Sequence, residues 1–395
     1  MLLDHFWKLP KGAKNLIIYY SITSILIATD IFTPIYLFNL GWNIISIGIL
    51  LSFGSIITIF GNILIGYLFD RGFQPKYAMI IIDSCSILYY LLFAIATDPM
   101  YIFVATAIFN FISPLFVAYQ TIERAVYPQE DLEKTFSLHM MLPNASQIIG
   151  VLLLGFFLSY IVPGVLGFKI IFLATAIFYV GVVLFIILEI PKTETAKIQK
   201  LSISKIPKRL IPIASAELII VFAYSIAPEF ILLDYVYNII SLDIFQISLI
   251  LVMANIAGII GSLPGEKIKV SRKTIAISII GGAVAYIMIY FVYYITNILY
   301  LVIALGVLVF MSYAFDTLWF IMHRSYFYKL VPEEMKGIIF GTMSSLRNIL
   351  FLVTPLLSSI IATKMASNFN FVIAGLILMS AIPLYFAVIP KERKE

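Results

Sequence analysis

The chain has 395 residues, of which 62% are hydrophobic and only 12% are charged, and its mean hydropathy is +1.04. Soluble domains are usually about 45–50% apolar and about 25% charged. The composition therefore excludes a soluble globular protein, a disordered chain and a nucleic-acid-binding protein. One cysteine and three scattered histidines rule out an intramolecular disulfide and argue against a metal cluster. We expect an integral membrane protein without a metal or another cofactor.

Twelve runs are long and apolar enough to cross a bilayer, which takes about 20 residues per helix. They lie near 15–40, 44–69, 77–97, 100–122, 138–161, 168–190, 210–239, 244–264, 274–296, 298–322, 337–361 and 370–390. Runs of this length exclude a β-barrel, whose strands alternate over about ten residues. The predicted fold class is all-α, with twelve transmembrane helices, called spans 1 to 12 here.

The basic residues indicate the orientation. With a cytoplasmic N-terminus, the segments on the cytoplasmic side hold 23 of the 26 Lys and Arg residues, as the positive-inside rule requires. The net charge of +5 then reflects topology and not an anionic partner. We expect a multi-pass protein of a prokaryotic plasma membrane with both termini cytoplasmic. A cleaved signal peptide is not expected, because the first apolar run is too long for one.

The chain divides into two halves with six spans each. The polar stretch 191–209 is predicted to be a cytoplasmic linker between an N-terminal bundle, 1–190, and a C-terminal bundle, 210–395. The loop after span 2, Gly66-Tyr-Leu-Phe-Asp70-Arg71-Gly72-Phe-Gln-Pro-Lys76, is echoed after span 8 by Gly261-Ser-Leu-Pro-Gly265-Glu266-Lys267. Duplicated six-helix halves are typical of secondary transporters, in which the substrate binds near the midplane.

The loop after span 2 resembles the G-x-L-x-D-R-x-G-R-K hallmark of the major facilitator superfamily, with the second glycine one place early and the basic pair reduced to Lys76. The resemblance implies two pseudo-symmetric six-helix bundles in a monomeric carrier that works by alternating access, closed on the cytoplasmic side by this loop. Asp70 would then meet the N-terminal end of span 11, and Arg71 would pair with an acid at the end of span 4. The alternative is a solvated loop whose charges only fix topology. The predicted gate motif comprises Gly66, Asp70, Arg71, Gly72, Lys76, Glu123, Gly265 and Glu266.

A second resemblance lies in span 1. Ala28-Thr29-Asp30-Ile31-Phe32-Thr33-Pro34 is similar to the T-D-x-x-x-P segment of the twelve-helix drug/proton antiporters. Two patterns of that subclass differ here, because span 5 lacks a G-P-x-x-G-G run and Asn110 stands near the place of an arginine in span 4. The residues support the superfamily more strongly than the antiporter subclass.

Ionisable residues within spans are the main functional candidates, because each costs at least about 2.5–3.5 kcal/mol at a helix centre. They are Asp30 (span 1), Asp83 (span 3), Glu217, Glu229 and Asp234 (span 7), Asp316 (span 10) and Arg347 (span 11). The resemblance implies that spans 1, 4, 7 and 10 line a central cavity, which would place five of the six acids on cavity helices. The predicted proton-coupling or substrate residues are Asp30, Glu217, Glu229, Asp316, Arg347, Tyr313 and Trp319.

Asp30 is the favoured proton carrier. It lies 16 residues past Lys14, or about 24 Å along the helix. Neither Asp30 nor Glu217 has a basic neighbour on its own helix, and a buried carboxyl without a counter-charge takes up a proton more readily. Tyr313 and Trp319 share one side of span 10 with Asp316, and an acid between aromatic faces suits an organic cation.

Most of these residues also have a structural interpretation. Asp316 and Arg347 would form an ion pair, and Trp319 would belong to an interfacial aromatic belt. Asp83 would pack or snorkel at the cytoplasmic end of an outer helix, and span 7 would end in solvated acids at Glu229 and Asp234. His139 and His323 are expected at helix ends in cytoplasmic loops.

The sequence contains no H-E-x-x-H, G-x-S-x-G or Walker A motif, so we expect neither an enzyme nor ATP-driven transport. The predicted function is secondary transport of a small organic solute coupled to protons, favoured as efflux of cationic or neutral amphipathic compounds. Proton-coupled uptake of a small metabolite is the alternative within this class. A lipid-flipping carrier and a membrane receptor are alternatives from other classes.

Overall fold

In the computed structural model, the described residues are 2–128, 132–192, 209–262, 270–331 and 336–389. Every regular element in these ranges is helical, and twelve segments are long and apolar enough to cross a membrane. The number of spans and the all-α class are therefore confirmed. In chain order the spans cover Lys11–Asn39, Ile44–Ile65, Pro75–Ile95, Pro99–Val126, Lys134–Ile161, Val165–Glu189, Leu210–Ile239, Ile244–Gly261, Arg272–Tyr294, Ile298–Phe327, Thr342–Met365 and Ser367–Val388.

Eight spans are built on one long helix. These helices are Ile44–Asp70 (span 2), Pro75–Ile95 (span 3), Leu132–Phe156 (span 5), Val165–Glu189 (span 6), Ile244–Ser262 (span 8), Arg272–Phe291 (span 9), Ile298–Leu330 (span 10) and Lys336–Met365 (span 11). A π-helical turn, Phe157–Ile161, extends span 5, and a 3₁₀ turn, Val292–Tyr294, extends span 9. A short helix, Leu2–Lys8, precedes span 1.

The other four spans are interrupted. They consist of Lys11–Ile31 and Thr33–Asn39 (span 1), Pro99–Ile112, the 3₁₀ turn Ser113–Phe116 and Val117–Val126 (span 4), Leu210–Ile226, Glu229–Asp234 and the π turn Tyr235–Ile239 (span 7), and Ser367–Ser380 and Ile382–Val388 (span 12). Proline explains the breaks in spans 1 and 7. Pro34 and Pro228 lack a backbone N–H, and the proline ring clashes with the carbonyl four residues earlier. Spans 1 and 7, the first spans of the two halves, are therefore both broken beside an acid.

The chain forms two compact units. Unit 1 comprises Met1–Trp42 and Phe53–Gln199, and unit 2 comprises Asn43–Ser52 and Lys200–Glu395. The predicted domain limits stay a prediction, since residues 193–208 of the expected linker lie outside the described ranges.

Aromatic packing holds the interior of unit 1. Tyr36 of span 1 lies against Phe93 of span 3 and Phe172 of span 6, with ring centroids 6.2 and 5.0 Å away, and all three side chains are buried. The Tyr36 hydroxyl donates to the Phe93 carbonyl at 3.1 Å. Each unit leaves large apolar side chains exposed, as a surface that faces lipid tails requires.

The interior of unit 2 is formed by spans 7, 9, 10 and 12. Small residues such as Ala216 and Ala283 allow these helices to approach closely, and Trp319 and Tyr385 fill the space between them. The polar atoms of Trp319 and Tyr385 are thereby brought into the core, where they need partners.

Candidate functional site

Asp30 lies inside unit 1, close to the break in span 1. Its Oδ2 accepts a hydrogen bond from the Tyr90 hydroxyl of span 3 at 2.8 Å. Its Oδ1 is buried and has no hydrogen-bond partner among the described residues. The described contacts of Asp30 include no Lys, Arg or His side chain. Among the described residues, Asp30 therefore has one hydroxyl donor and no counter-charge.

Asp83 is buried in unit 1, with only 3% of its surface exposed. The Tyr19 hydroxyl of span 1 donates to its Oδ2 at 2.8 Å, and Tyr119 of span 4 interacts with this carboxyl electrostatically. The expectation that Asp83 snorkels was wrong, because its side chain is buried in the bundle, where Tyr19 supplies a hydrogen bond. The other expectation, a packing residue, agrees with this burial.

Glu217 lies in the middle of a polar cluster in unit 2. Its Oε2 lies 3.0 Å from His323 Nε2 of span 10, and its Oε1 lies 3.5 Å from Arg347 Nη1 of span 11. The Glu217 side chain is 10% exposed and that of Arg347 is 34% exposed. The expectation of a Glu217 carboxyl without a basic neighbour therefore fails, because the bases come from other helices. The alternative pairing of Arg347 with Asp316 is wrong too.

His323 connects this ion pair to span 12. Its Nδ1 lies 2.8 Å from the Tyr385 hydroxyl, which also accepts a hydrogen bond from Trp319 Nε1 at 2.8 Å. All these groups are satisfied if His323 carries its proton on Nε2. The expected position of His323 in a loop was wrong, since it lies within the helix Ile298–Leu330 and is 3% exposed. The expected loop position of His139 was wrong as well, since it lies in the helix Leu132–Phe156, where the Tyr127 hydroxyl is 2.6 Å from its Nδ1.

A cavity of about 90 Å³ adjoins this cluster within unit 2. Its polar lining combines Glu217 with His323, Arg324 and Arg347, and its apolar lining includes Phe320 and Phe327. A site with several bases and one acid can hold an anionic or zwitterionic group.

Asp316 lies apart from that cluster, among tyrosines of three spans. Asp316 interacts electrostatically with Tyr224 of span 7, Tyr286 of span 9 and Tyr313 of span 10. Trp319, three residues further along span 10, is 6% exposed and packs on His323, with ring centroids 5.0 Å apart. Its N–H donates to the Tyr385 hydroxyl. Trp319 is therefore a core residue, and the alternative of an interfacial belt residue is wrong.

The two remaining acids of span 7 differ from each other. Glu229 begins the helix after the break, and its side chain is exposed. Asp234 accepts hydrogen bonds from Ser367 of span 12 and from Asn238, the latter at 2.7 Å. Asp234 therefore links spans 7 and 12 within unit 2.

A family model described as Major Facilitator Superfamily matches residues 16–355, which is most of the chain. The chain belongs to the Major Facilitator Superfamily. It is a multi-pass membrane transporter and not an enzyme, which confirms the predicted family and class. No curated protein sequence is significantly similar to it.

Solved structures of several other transporters share the fold of this chain. A POT family transporter in complex with a thioalcohol-conjugated peptide has a TM-score of 0.74 at 12% identity, covering 96% of each chain. A mutant of the nucleoside transporter NupG has a TM-score of 0.72 at 16% identity, covering 95% of this chain and 99% of its own. A bacterial metal transporter has a TM-score of 0.69 at 13% identity, covering 96% of this chain and 99% of its own. Identities this low show the fold and leave the substrate open.

The family's loop motif is described in part. Gly72 has φ +82°, which only glycine adopts without strain, and Lys76 Nζ donates to the Ile187 carbonyl at the end of span 6 at 2.9 Å. Glu123 accepts a hydrogen bond from Tyr20 at 2.5 Å, and its predicted pairing with Arg71 stays a prediction. Gly265 and Glu266 lie outside the described ranges. Gly66 and Asp70 are described only as part of the helix backbone, without their contacts. The gate therefore remains a prediction.

His323, Tyr385 and the tyrosines around Asp83 were missed by sequence reasoning. A tyrosine in an apolar helix is also a normal packing or belt residue, so the residue type gave no signal. The one available sign was that His323 directly follows the predicted apolar run 298–322, because a buried imidazole needs partners for both ring nitrogens.

Proposed function

We propose that this transporter is coupled to protons and that Asp30 is the residue that binds the transported proton. The observation that carries the proposal is the surroundings of Asp30, with one hydroxyl donor and one buried oxygen without a partner among the described residues. Burying a carboxylate without a counter-charge is expensive, and a bound proton removes that cost. The carboxyl can therefore exchange a proton when its surroundings change during transport.

The favoured substrates are cationic or neutral amphipathic compounds that leave the cell in exchange for protons. Asp316 supports this assignment because its carboxyl lies among the aromatic side chains of Tyr224, Tyr286 and Tyr313, and acids beside aromatic rings suit organic cations. Tyr313 is 42% exposed, so a substrate can reach this part of unit 2. Alternating access of the two halves would expose the substrate to each side in turn.

The second candidate is uptake of a small anionic or zwitterionic metabolite together with protons. The cavity beside Glu217 favours it, because Arg324, His323 and Arg347 outnumber the single acid in the cavity lining. The partly exposed Arg347 guanidinium would bind a carboxylate or phosphate through two parallel hydrogen bonds.

The test uses purified protein in liposomes with a trapped pH dye. Ethidium, tetraphenylphosphonium, a dipeptide and a nucleoside are added one at a time. We expect that entry of ethidium or tetraphenylphosphonium drives protons out of the lumen, that Asp30→Asn abolishes this exchange, and that Asp30→Asn retains counterflow of the same cation. Acidification of the lumen on entry of the dipeptide or nucleoside would favour the second candidate instead.

Asp98→Asn is the matched control. Asp98 caps the start of span 4 by accepting from the Met100 N–H at 2.7 Å, and asparagine caps helices equally well, so this variant should behave like wild type. Proton-driven transport that is undiminished in Asp30→Asn would overturn the role of Asp30. If no compound moves protons in the wild type, proton coupling itself is wrong.

A further inference from the structure

Asp83 is a buried acid that the transport mechanism above does not use. The groups that face it are Tyr19 of span 1, Tyr119 of span 4 and Tyr179 of span 6. Its described contacts include no basic side chain. An asparagine could accept the same hydrogen bonds for packing without the cost of a charge. An ionisable residue here therefore points to a role in which a proton is bound and released.

On one side, Asp83 is connected to Asp30 through two tyrosines. Tyr179 interacts electrostatically with both carboxyls. Its ring stacks on that of Tyr90, with centroids 5.5 Å apart and planes at 26°. Tyr90 in turn donates to Asp30. The order along the helices agrees, since Asp83 and Tyr90 lie 8 and 15 residues after Pro75 in span 3, or about 12 and 22 Å along it.

On the other side, a second group of tyrosines leads to the end of unit 1 at which span 1 begins. The Tyr19 and Tyr119 hydroxyls are 2.8 Å apart. The Tyr119 ring lies 6.1 Å from that of Tyr20, which donates to Glu123 Oε1 at 2.5 Å. Glu123 is half-buried near the end of span 4, at the face of the membrane that the basic residues predict to be cytoplasmic.

We propose that Asp83 is a second proton-binding site and that protons pass between Asp30 and Glu123 through the interior of unit 1. This inference rests on the proposed proton coupling at Asp30. A tyrosine hydroxyl both donates and accepts, so it can receive a proton on its oxygen while releasing its own to the next group. One proton enters at one end of the route as another leaves at the opposite end, and no electrons are transferred.

Three steps of the route join rings or charges instead of hydrogen-bonded atoms. These are the steps from Tyr90 to Tyr179, from Tyr179 to Asp83 and from Tyr119 to Tyr20. A proton crosses them only after a tyrosine side chain rotates. The route can therefore be closed at these three points, which prevents a steady leak of protons.

Tyr36 provides the matched control for the tyrosines of the route. It is fully buried in unit 1 like Tyr19, but its hydroxyl donates to the backbone carbonyl of Phe93 and not to a carboxyl. A Phe substitution at Tyr19 or at Tyr36 removes one buried hydroxyl. That hydroxyl makes two hydrogen bonds at Tyr19 and one at Tyr36. Only the substitution at Tyr19 interrupts the route.

The test is time-resolved infrared spectroscopy of the full-length protein in detergent after a pH jump. The C=O bands of protonated Asp30 and Asp83 are assigned by their loss in Asp30→Asn and Asp83→Asn. We expect both bands to respond to pH. In Tyr19→Phe and in Asp83→Asn, the Asp30 band should respond to the pH jump at least about tenfold more slowly. The reason is that a positioned proton-transfer group raises the rate about a hundredfold or more. Tyr36→Phe should respond at the wild-type rate.

The outcomes separate the two proposals. If the Asp30 band responds to pH but its rate is unchanged in both Tyr19→Phe and Asp83→Asn, the route is wrong and the role of Asp30 stands. A missing pH-dependent band for Asp83 would also overturn the route. If no pH-dependent Asp30 band exists, the proposed function fails first.

Discussion

Replacing His323 by phenylalanine tests the polar cluster that joins four spans of unit 2. Phenylalanine keeps a ring between Trp319 and Phe327, whose centroids lie 5.0 and 5.6 Å from the imidazole. The substitution removes the bond to Glu217 at 3.0 Å and the bond to Tyr385 at 2.8 Å. Stacking is therefore retained while the polar contacts are lost.

The expected loss of stability follows from the partners that Tyr385 and Glu217 keep in the variant. Tyr385 keeps the Trp319 N–H as a donor, whereas Glu217, which is 10% exposed, keeps only Arg347 at 3.5 Å among the pairs described above. A hydrogen bond to a charged group contributes about 1.5–3 kcal/mol, and hydrogen bonds between membrane helices average about 0.6 kcal/mol. We expect His323→Phe to lower the free energy of unfolding by about 2 kcal/mol, near the charged end of this range.

A double variant makes the test specific. Combining His323→Phe with Glu217→Leu removes both partners, and replacing both partners by apolar groups is nearly neutral. The double variant should therefore be about 2 kcal/mol more stable than the sum of the single losses predicts. Unfolding is followed in mixed micelles of increasing SDS content by tryptophan fluorescence, because Trp319 lies in the cluster.

His139→Phe is the control, because it removes a neutral hydrogen bond to Tyr127 and leaves no carboxylate. We expect it to cost about 0.6 kcal/mol. The reasoning is refuted if His323→Phe is no more destabilising than His139→Phe, or if the single losses simply add in the double variant.

Further predictions concern packing and can be checked in the same SDS titration. Gly61→Ala should cost about 1–3 kcal/mol, because a Cβ there would lie 2.2 Å from the Phe111 carbonyl oxygen. A Cβ at Gly181 would meet nothing within 4 Å, so Gly181→Ala should stabilise the protein by up to about 1 kcal/mol through helix propensity. A stabilised Gly61→Ala or a destabilised Gly181→Ala would contradict the prediction for that variant. Asn370→Leu should cost about 2–3 kcal/mol, because this buried amide donates to the Ile226 carbonyl at the end of a helix in span 7 and to the Ser358 carbonyl. A wild-type midpoint in Asn370→Leu would argue against that role.

The positions of the candidate acids could be read from the sequence, but their partners could not. Asp30 was expected to lack a counter-charge, and its described contacts agree with that expectation. Glu217 was judged by the same reasoning, and for it the reasoning failed. Both acids meet side chains of distant spans, and only the charge of those side chains differs. Span 3 brings the neutral Tyr90 hydroxyl to Asp30, whereas spans 10 and 11 bring the bases His323 and Arg347 to Glu217.

Trp319 shows the same limit on a single helix. Its spacing from Asp316 places both on one side of span 10. The spacing does not show that Trp319 contacts Tyr385 of span 12 or that Asp316 interacts with Tyr224 of span 7. The helical period gives the angles between side chains around the axis of one helix. It does not give the direction in which a neighbouring helix lies.

The sequence by itself determined the class, the number of spans and the family. The physical reason is that the bilayer sets a length for each apolar run, and this length is a one-dimensional property of the chain. Only the tertiary structure decided that Asp83 is buried among tyrosines and that His323 lies between Glu217 and Tyr385. In a membrane protein the faces that meet lipid and the faces that meet protein are both apolar, so the pattern along a span does not show which side chains will touch.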